Sequence, residues 1–273
     1  MLSAPIPDAP TDELTELMLA SAVAAARVIL DVYSRPIAAV TKADGSPVTE
    51  ADAAAEQVIL DHLRPTGIPV LGEESVAAGV IPVLGERYFV VDPLDGTKEF
   101  IKRNGEFTVN VALVEDGVPT RGVVLAPVTG EAFVGCARGA FQYHLDGKRN
   151  TIAVAQAERL RIVASRSHGH LALAELCRAL DVEADVSVGS SLKFCLLADG
   201  RAQLYPRFTP TCEWDTAAGQ AVLEAAGGAV VTLDGQPMRY GKHEAGFLNP
   251  YFVAASSLEL AQRAAAEMSR LIG

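Results

Sequence analysis

From Tyr88 to about His144 the chain is a succession of short apolar runs, "FTVNVALVEDG", "VPTRGVVLAP", "EAFVGCA" and "AFQYHL". They are rich in β-branched and aromatic residues and are separated by Gly, Asp and Pro, a pattern that predicts an antiparallel meander. Helices precede it. Thr11, Asp12 and Glu13 make a helix start, and the Ala/Leu-rich stretch behind them carries the helix to about Tyr33, before Pro36 stops it. A second helix opens at Thr49 in "SPVTEADAAAEQVILDHL" and ends before Pro65.

After about Thr151 the pattern changes. "RIVAS", "ADVSV", "RAQLY" and "AVVTL" read as strands, and "HLALAELCRAL", "LKFCLLAD" and "DTAAGQAVLEAA" as the helices between them, an alternation that indicates βαβ units. Two lobes are expected, residues 1–150 with helices and an antiparallel sheet and residues 151–273 with α/β character, joined without a disordered linker. A chain of 273 residues can bury a full core in either one large domain or two lobes with a shared interface. Its net charge of −11 repels polymeric nucleic acid and anionic lipid.

Cys136, Cys177, Cys195 and Cys212 lie far apart with no C-x-x-C pair, which suits free thiols in a reducing compartment. The opening "MLSAPIPDAPTDE" has neither a basic nor an apolar signal region, and the longest apolar run, "LMLASAVAAA", is too short to span a bilayer. The expected location is the cytoplasm, with no integral membrane segment.

The chemistry is concentrated in "VVDPLDGT", residues 90 to 97, where an apolar strand runs into two aspartates with Pro93 between them. Alone, this is as readily a turn as a site. Asp52, the pair Glu73 and Glu74, and Asp215 in "EWDTAAG" stand at other strand ends or helix starts. Each has an ordinary explanation: a capping box for Asp52, a solvated turn for the glutamates, an N-cap for Asp215. Gathered at one sheet edge they would repel one another unless cations bridged them, and an all-oxygen set without His or Cys suits Mg²⁺ better than zinc. A turn restricted by Pro93 would aim Asp92, Asp95 and the Leu94 carbonyl at one spot. Gly96 and Thr97 would add close approach, a hydroxyl and backbone N–H groups for a phosphate.

With "GEES" at 72 to 75, "DPLDGT" at 92 to 97 and "WDTAAG" at 214 to 219, the chain resembles the inositol monophosphatase superfamily, whose signatures are G-E-E, D-P-[IL]-D-G-T and W-D-x-A-A-G in that order. The resemblance covers essentially the whole chain. It implies a layered αβαβα sandwich, an antiparallel sheet in the first lobe and a smaller mixed sheet in the second. Two to three Mg²⁺ ions are also implied: one held by Glu73, Asp92 and the Leu94 carbonyl, a second by Asp92, Asp95 and Asp215, and a weaker third near Glu73. Asp52 and Thr97 match the pair that positions and deprotonates an attacking water, with no covalent phosphoenzyme.

"VASRSH" at 163 to 168, "GSSLKF" at 189 to 194 and "LYPR" at 204 to 207 resemble the bacterial CysQ-type 3'(2'),5'-bisphosphate nucleotidases within that superfamily. The implied substrate is adenosine 3',5'-bisphosphate, hydrolysed to AMP and phosphate, with 3'-phosphoadenosine 5'-phosphosulfate left open. Lys193 and Arg207 are charge-matched to a second phosphate, and Ser165, His168 and Ser190 would add hydrogen bonds. The same phosphate region would include Glu73, Leu94, Asp95, Gly96, Thr97 and Asp215. The ordinary readings are a solvated lysine, a surface arginine and a helix cap. Inositol or sugar phosphates on the same fold, and a noncatalytic metal- or nucleotide-binding regulator, stand as alternatives. Some relatives associate with the inner face of the cell membrane, although nothing in this sequence supplies an anchor.

Overall fold

A computed structural model describes residues 11–41, 45, 47–144, 147–164 and 171–272. Helix α1 (Glu13–Tyr33) begins where the sequence places it, with Asp12 as N-cap accepting from Thr15 N at 3.1 Å. A small hairpin, β1 (Ala39–Thr41) and β2 (Pro47–Thr49), leads into α2 (Glu50–Leu63). Thr49 and Asp52 close the start of α2 as a reciprocal capping box. Then follow β3 (Val70–Gly72), α3 (Glu73–Ala77), β4 (Arg87–Asp95), α4 (Thr97–Lys102), β5 (Thr108–Glu115), β6 (Val118–Ala126), β7 (Glu131–Cys136), β8 (Gly139–His144) and β9 (Arg149–Ile152).

Strands β3 to β9 form one seven-stranded sheet in sequence order. The expected meander is present as β4 to β8; β3 extends it by a parallel pairing to β4, and β9 by an antiparallel one to β8. Both faces of its centre are covered. Along β5, Val109, Val111 and Leu113 join the core with α1 and α2, while Ala112 and Val114 join the core on the other side. A strand covered on both faces has no polar side to show, so it reads as one continuous apolar run.

The second half supplies β10 (Leu160–Ile162), α5 (Leu171–Ala179), β11 (Val182–Asp185), α6 (Leu192–Ala198), β12 (Leu204–Arg207), β13 (Thr211–Cys212), α7 (Ala217–Ala225), β14 (Ala229–Thr232), β15 (Leu248–Asn249), β16 (Phe252–Ala255) and α8 (Leu258–Ile272). Five of these strands make a mixed sheet in the order β11-β10-β12-β16-β14. α6 and α7 fill the space between the two sheets, and α5 and α8 cover the outer face of the smaller one. The order is therefore helices, sheet, helices, sheet, helices, the expected αβαβα sandwich.

α7 lies directly against the large sheet because two strand positions lack side chains. A Cβ on Gly122 would stand 2.3 Å from Ala218 O, and one on Gly135 would stand 2.5 Å from Ala221 O. β9 carries the large sheet across residue 150, where the sequence pattern changes. One apolar core runs through both halves, from Tyr88 and Phe133 to Phe194 and Phe252. Among the described residues no helix is long and apolar enough to cross a membrane.

Parts of the smaller sheet and its outer layer depart from the sequence reading. The strand expected at "ADVSV" is shifted toward the N-terminus, to Val182–Asp185, and β16 and α8 were not anticipated at all.

Candidate active site

The DPLD segment is strand, not a turn after a strand. β4 continues to Asp95, but Asp92 pairs with Asn110 and Asp95 with Thr108, so three steps on β4 are matched by two on β5. In a regular strand residues three apart point to opposite faces. One extra residue in the ladder cancels that reversal, and Pro93 is tolerated where the ladder is broken. The bulge thus turns Asp92 and Asp95 to the same side. Gly96, at φ 96°, ends the strand, and Thr97 begins α4. The sequence reading was right about convergence and wrong about the device.

Asp215 arrives from the other half of the chain, two residues before α7. One oxygen from each of Asp92, Asp95 and Asp215 lies within 4.8 Å of the others. Glu73 is carried to the same edge by the parallel pairing of β3 with β4, in which Gly72 sits opposite Val91, and it shares a hydrogen bond with Asp92. Burial, followed by the charges of Glu73, Asp95 and Asp215, drives the Asp92 carboxyl far above the ordinary carboxylate range. Asp215 is pushed up to about 7, first by burial and next by Asp95.

Thr97 Oγ donates to Asp52 Oδ1 at 3.1 Å and lies 3.3 Å from the Leu94 carbonyl. Asp52 is buried, and its Oδ2 accepts from both Thr49 N and Thr49 Oγ at 2.7 Å. One oxygen of Asp52 thus serves the capping box of α2, and the other accepts from Thr97.

Beside the acids is a cavity of about 200 Å³ whose lining includes Asp95, Gly96, Ser190, Lys193, Arg207 and Asp215. Lys193 is 6% exposed, and its Nζ donates to Ser190 O at 2.9 Å. Burial, reinforced by the repulsion of Arg207, brings its pKa down to about 8 against the attraction of Asp95, Glu99 and Asp215. Ser190 has φ 48°, and its buried hydroxyl has no hydrogen-bond partner among the described residues. Arg207 closes the end of β12, where its Nε donates to Thr209 O at 3.2 Å. Ser165 and His168 lie outside the described residues.

Two residues at the centre of the site were missed. Ser191 N donates to Asp95 Oδ2 at 2.6 Å, and Ser191 Oγ lies 2.9 Å from the same oxygen and 2.8 Å from Asp215 O. Asn110 Nδ2 donates to Ser191 Oγ at 2.9 Å. This network ties an acid of β4 to the backbone of the Asp215 segment. The serine in "GSSLKF" was one position from the residue singled out, and only the fold distinguishes the two.

Similarity to known proteins agrees with this geometry. The model of the inositol monophosphatase family matches residues 11–272. The chain belongs to the inositol monophosphatase family. Among family relatives, the 3'(2'),5'-bisphosphate nucleotidase CysQ of Escherichia coli K12 is 50% identical over 228 residues, 82% of this chain and 92% of that protein. The protein of the same name from Aggregatibacter actinomycetemcomitans is 38% identical, over 81% of this chain and 84% of that protein. Of solved family structures, CysQ from Bacteroides thetaiotaomicron superposes with a TM-score of 0.76 at 38% identity, covering 93% of this chain and 99% of that one. An inositol monophosphatase from Zymomonas mobilis reaches 0.76 at 23% identity, covering 96% and 100%, a likeness of fold. The family is one of metal-dependent phosphatases, and the buried acids offer the oxygen donors that a hard divalent cation takes.

Proposed function

We propose that the chain is a Mg²⁺-dependent phosphomonoesterase that hydrolyses adenosine 3',5'-bisphosphate to AMP and phosphate. The observation that carries this reading is the buried Lys193, which shares one cavity with Arg207, Asp95 and Asp215. A monophosphate needs no second phosphate site, and desolvating a lysine beside an arginine is costly unless an anion arrives to pair with them. Support also comes from the 50% identity to the E. coli protein named for this activity.

In this reading Glu73, Asp92, the Leu94 carbonyl, Asp95 and Asp215 hold two to three Mg²⁺ ions, an assignment favoured by an all-oxygen donor set without His or Cys. Bound there, the ions would supply acidification of a water and neutralisation of phosphoryl and leaving-group charge. The chain's own residues do the rest. Thr97 Oγ donates a hydrogen bond to Asp52 Oδ1, which leaves its lone pairs to accept from a water. Asp52 is kept from turning away by the two donors of Thr49 on its other oxygen. A proton leaving the water can thus pass to Thr97 Oγ as the threonine proton moves to Asp52. Lys193 and Arg207 bind the phosphate that does not react, and Gly96 and Ser190 line the same space. A noncatalytic regulator would have no use for the contact of Thr97 with Asp52.

The test is phosphate release from adenosine 3',5'-bisphosphate, 3'-phosphoadenosine 5'-phosphosulfate, inositol 1-phosphate and AMP, with and without Mg²⁺. Mg²⁺-dependent turnover of the bisphosphate is expected. Turnover of inositol 1-phosphate with none of the bisphosphate would reject the nucleotide assignment and keep the phosphatase.

A further inference from the structure

The metal-ligand motif "GEES" contains one residue, Glu73, that the proposed chemistry uses. Gly72 and Ser75 have no part in it, and their presence is explained by a residue on another element. Glu56, on α2, is 3% exposed and has its carboxylate against the start of α3. Its Oε2 accepts from Glu74 N at 2.8 Å, and its Oε1 accepts from Ser75 N at 2.8 Å and from Ser75 Oγ at 2.5 Å. A Cβ on Gly72 would stand 2.6 Å from Glu56 Oε2, so only glycine leaves room for the carboxylate. The three motif residues around Glu73 are thus the seat of one buried side chain.

We propose that Glu56 is a positioning residue for the metal ligand Glu73. This inference rests on the metal-dependent reading above. Burying a carboxylate without cost requires strong donors, and two backbone N–H groups with a hydroxyl supply them. These bonds clamp the corner at which β3 passes into α3, since the N–H groups of the two residues after Glu73 are both taken. Glu73 is then held beside Asp92 by a side chain of α2 that binds the backbone on the far side of Glu73. Without the clamp, the repulsion among Glu73, Asp92, Asp95 and Asp215 would swing Glu73 away, because Glu73 joins the cluster from a five-residue helix with no side-chain cap of its own.

The experiment is Mn²⁺ binding by the full chain, followed through the electron paramagnetic resonance of free Mn²⁺, in wild type, Glu56→Gln and Gly72→Ala. The glutamine keeps the shape but presents an amide nitrogen where an N–H donor points. The alanine pushes the carboxylate aside and leaves its charge in place. Both variants are expected to lose about 10- to 100-fold in affinity for at least one Mn²⁺, the range found when partners behind metal ligands are removed. Activity should return toward wild type at saturating Mg²⁺ with substrate KM unchanged, which a general loss of stability would not produce. Ser75→Ala, which deletes one donor and little volume, carries the test if Glu56→Gln does not fold, with a smaller loss of the same sign. Wild-type Mn²⁺ affinity in the folded variants overturns the role of Glu56 alone. Failure of wild type to take up Mn²⁺ overturns the metal reading and this inference with it.

Discussion

Lys193 shows how one side chain can be both expensive and useful. Its ammonium is buried beside Arg207 and held by Ser190 O, and burial lowers its pKa from the ordinary lysine range to about 8. For a base shifted downward in the folded protein, the charged form is lost as pH rises through the folded value. Binding of the non-reacting phosphate should therefore weaken above about pH 8. Lys193→Met is expected to raise KM for adenosine 3',5'-bisphosphate about 10- to 100-fold, the value of a charge-assisted hydrogen bond of roughly 1.5–3 kcal/mol. KM for a monophosphate should change far less, and the rise in KM above pH 8 should disappear in the variant. Steady-state kinetics on both substrates from pH 6.5 to 9.5 decides this, and equal losses on the two would remove the assignment. Lys193 could be singled out from sequence because its neighbours "GSSLKF" carry a recognisable pattern. Ser191, Asn110 and Glu56 could not, because the partners named above are 96, 81 and 18 residues away, and none of the three carries a local sign of such a contact.

At the scale of elements, α7 is seated closely on β6 and β7. Gly135→Ala would place a Cβ 2.5 Å from Ala221 O and 2.6 Å from Val222 Cα, both backbone atoms that move only if the helix moves. Overpacking of this kind costs typically 1–3 kcal/mol. A loss of about that size is expected in urea unfolding, with activity reduced as well, because the same helix follows Asp215. An unchanged midpoint would mean that α7 is not seated as described. This close seating explains what was legible and what was not. Strands of the large sheet were readable as apolar runs because both faces are buried. Gly122 and Gly135 sit inside those runs, and nothing local to them shows that they are places where a helix touches the sheet. β16 was passed over because "FVAA" is four residues long and carries no turn chemistry. α8 did leave a signal, since Ala261, Ala264, Ala265 and Met268 recur at helical spacing and are all buried. Pro93 was read as the corner of a turn, while the chain uses it at a bulge where no ladder hydrogen bond is needed from it.

For the molecule as a whole, the site is a point where the two halves are pressed together despite like charge. Asp92 and Asp95 come from the large sheet and Asp215 from the segment before α7, and burial with mutual repulsion raises the Asp215 carboxyl to about 7. An acid shifted upward in the folded state favours folding most at low pH, and that advantage is lost as pH rises from about 4 to about 7. At pH 8 without metal, the ionised Asp215 therefore works against the folded state. Asp215→Asn removes the charge and keeps an oxygen for Cys212 N, which donates to Asp215 Oδ2 at 2.8 Å. The metal-free variant is expected to melt a few degrees above wild type at pH 8, to lose that margin toward pH 5, and to have no measurable turnover. Mg²⁺ should reverse the order. A cation bound only by the folded state stabilises it by about 2.7 kcal/mol at a concentration one hundred times its Kd, so wild type should gain several degrees and the variant little. Thermal melts at the two pH values, with EDTA and with Mg²⁺, separate the possibilities. If metal-free Asp215→Asn melts below wild type at pH 8 and both gain equally from Mg²⁺, the acids are not held together against their own repulsion, and cation binding is not what joins the two halves.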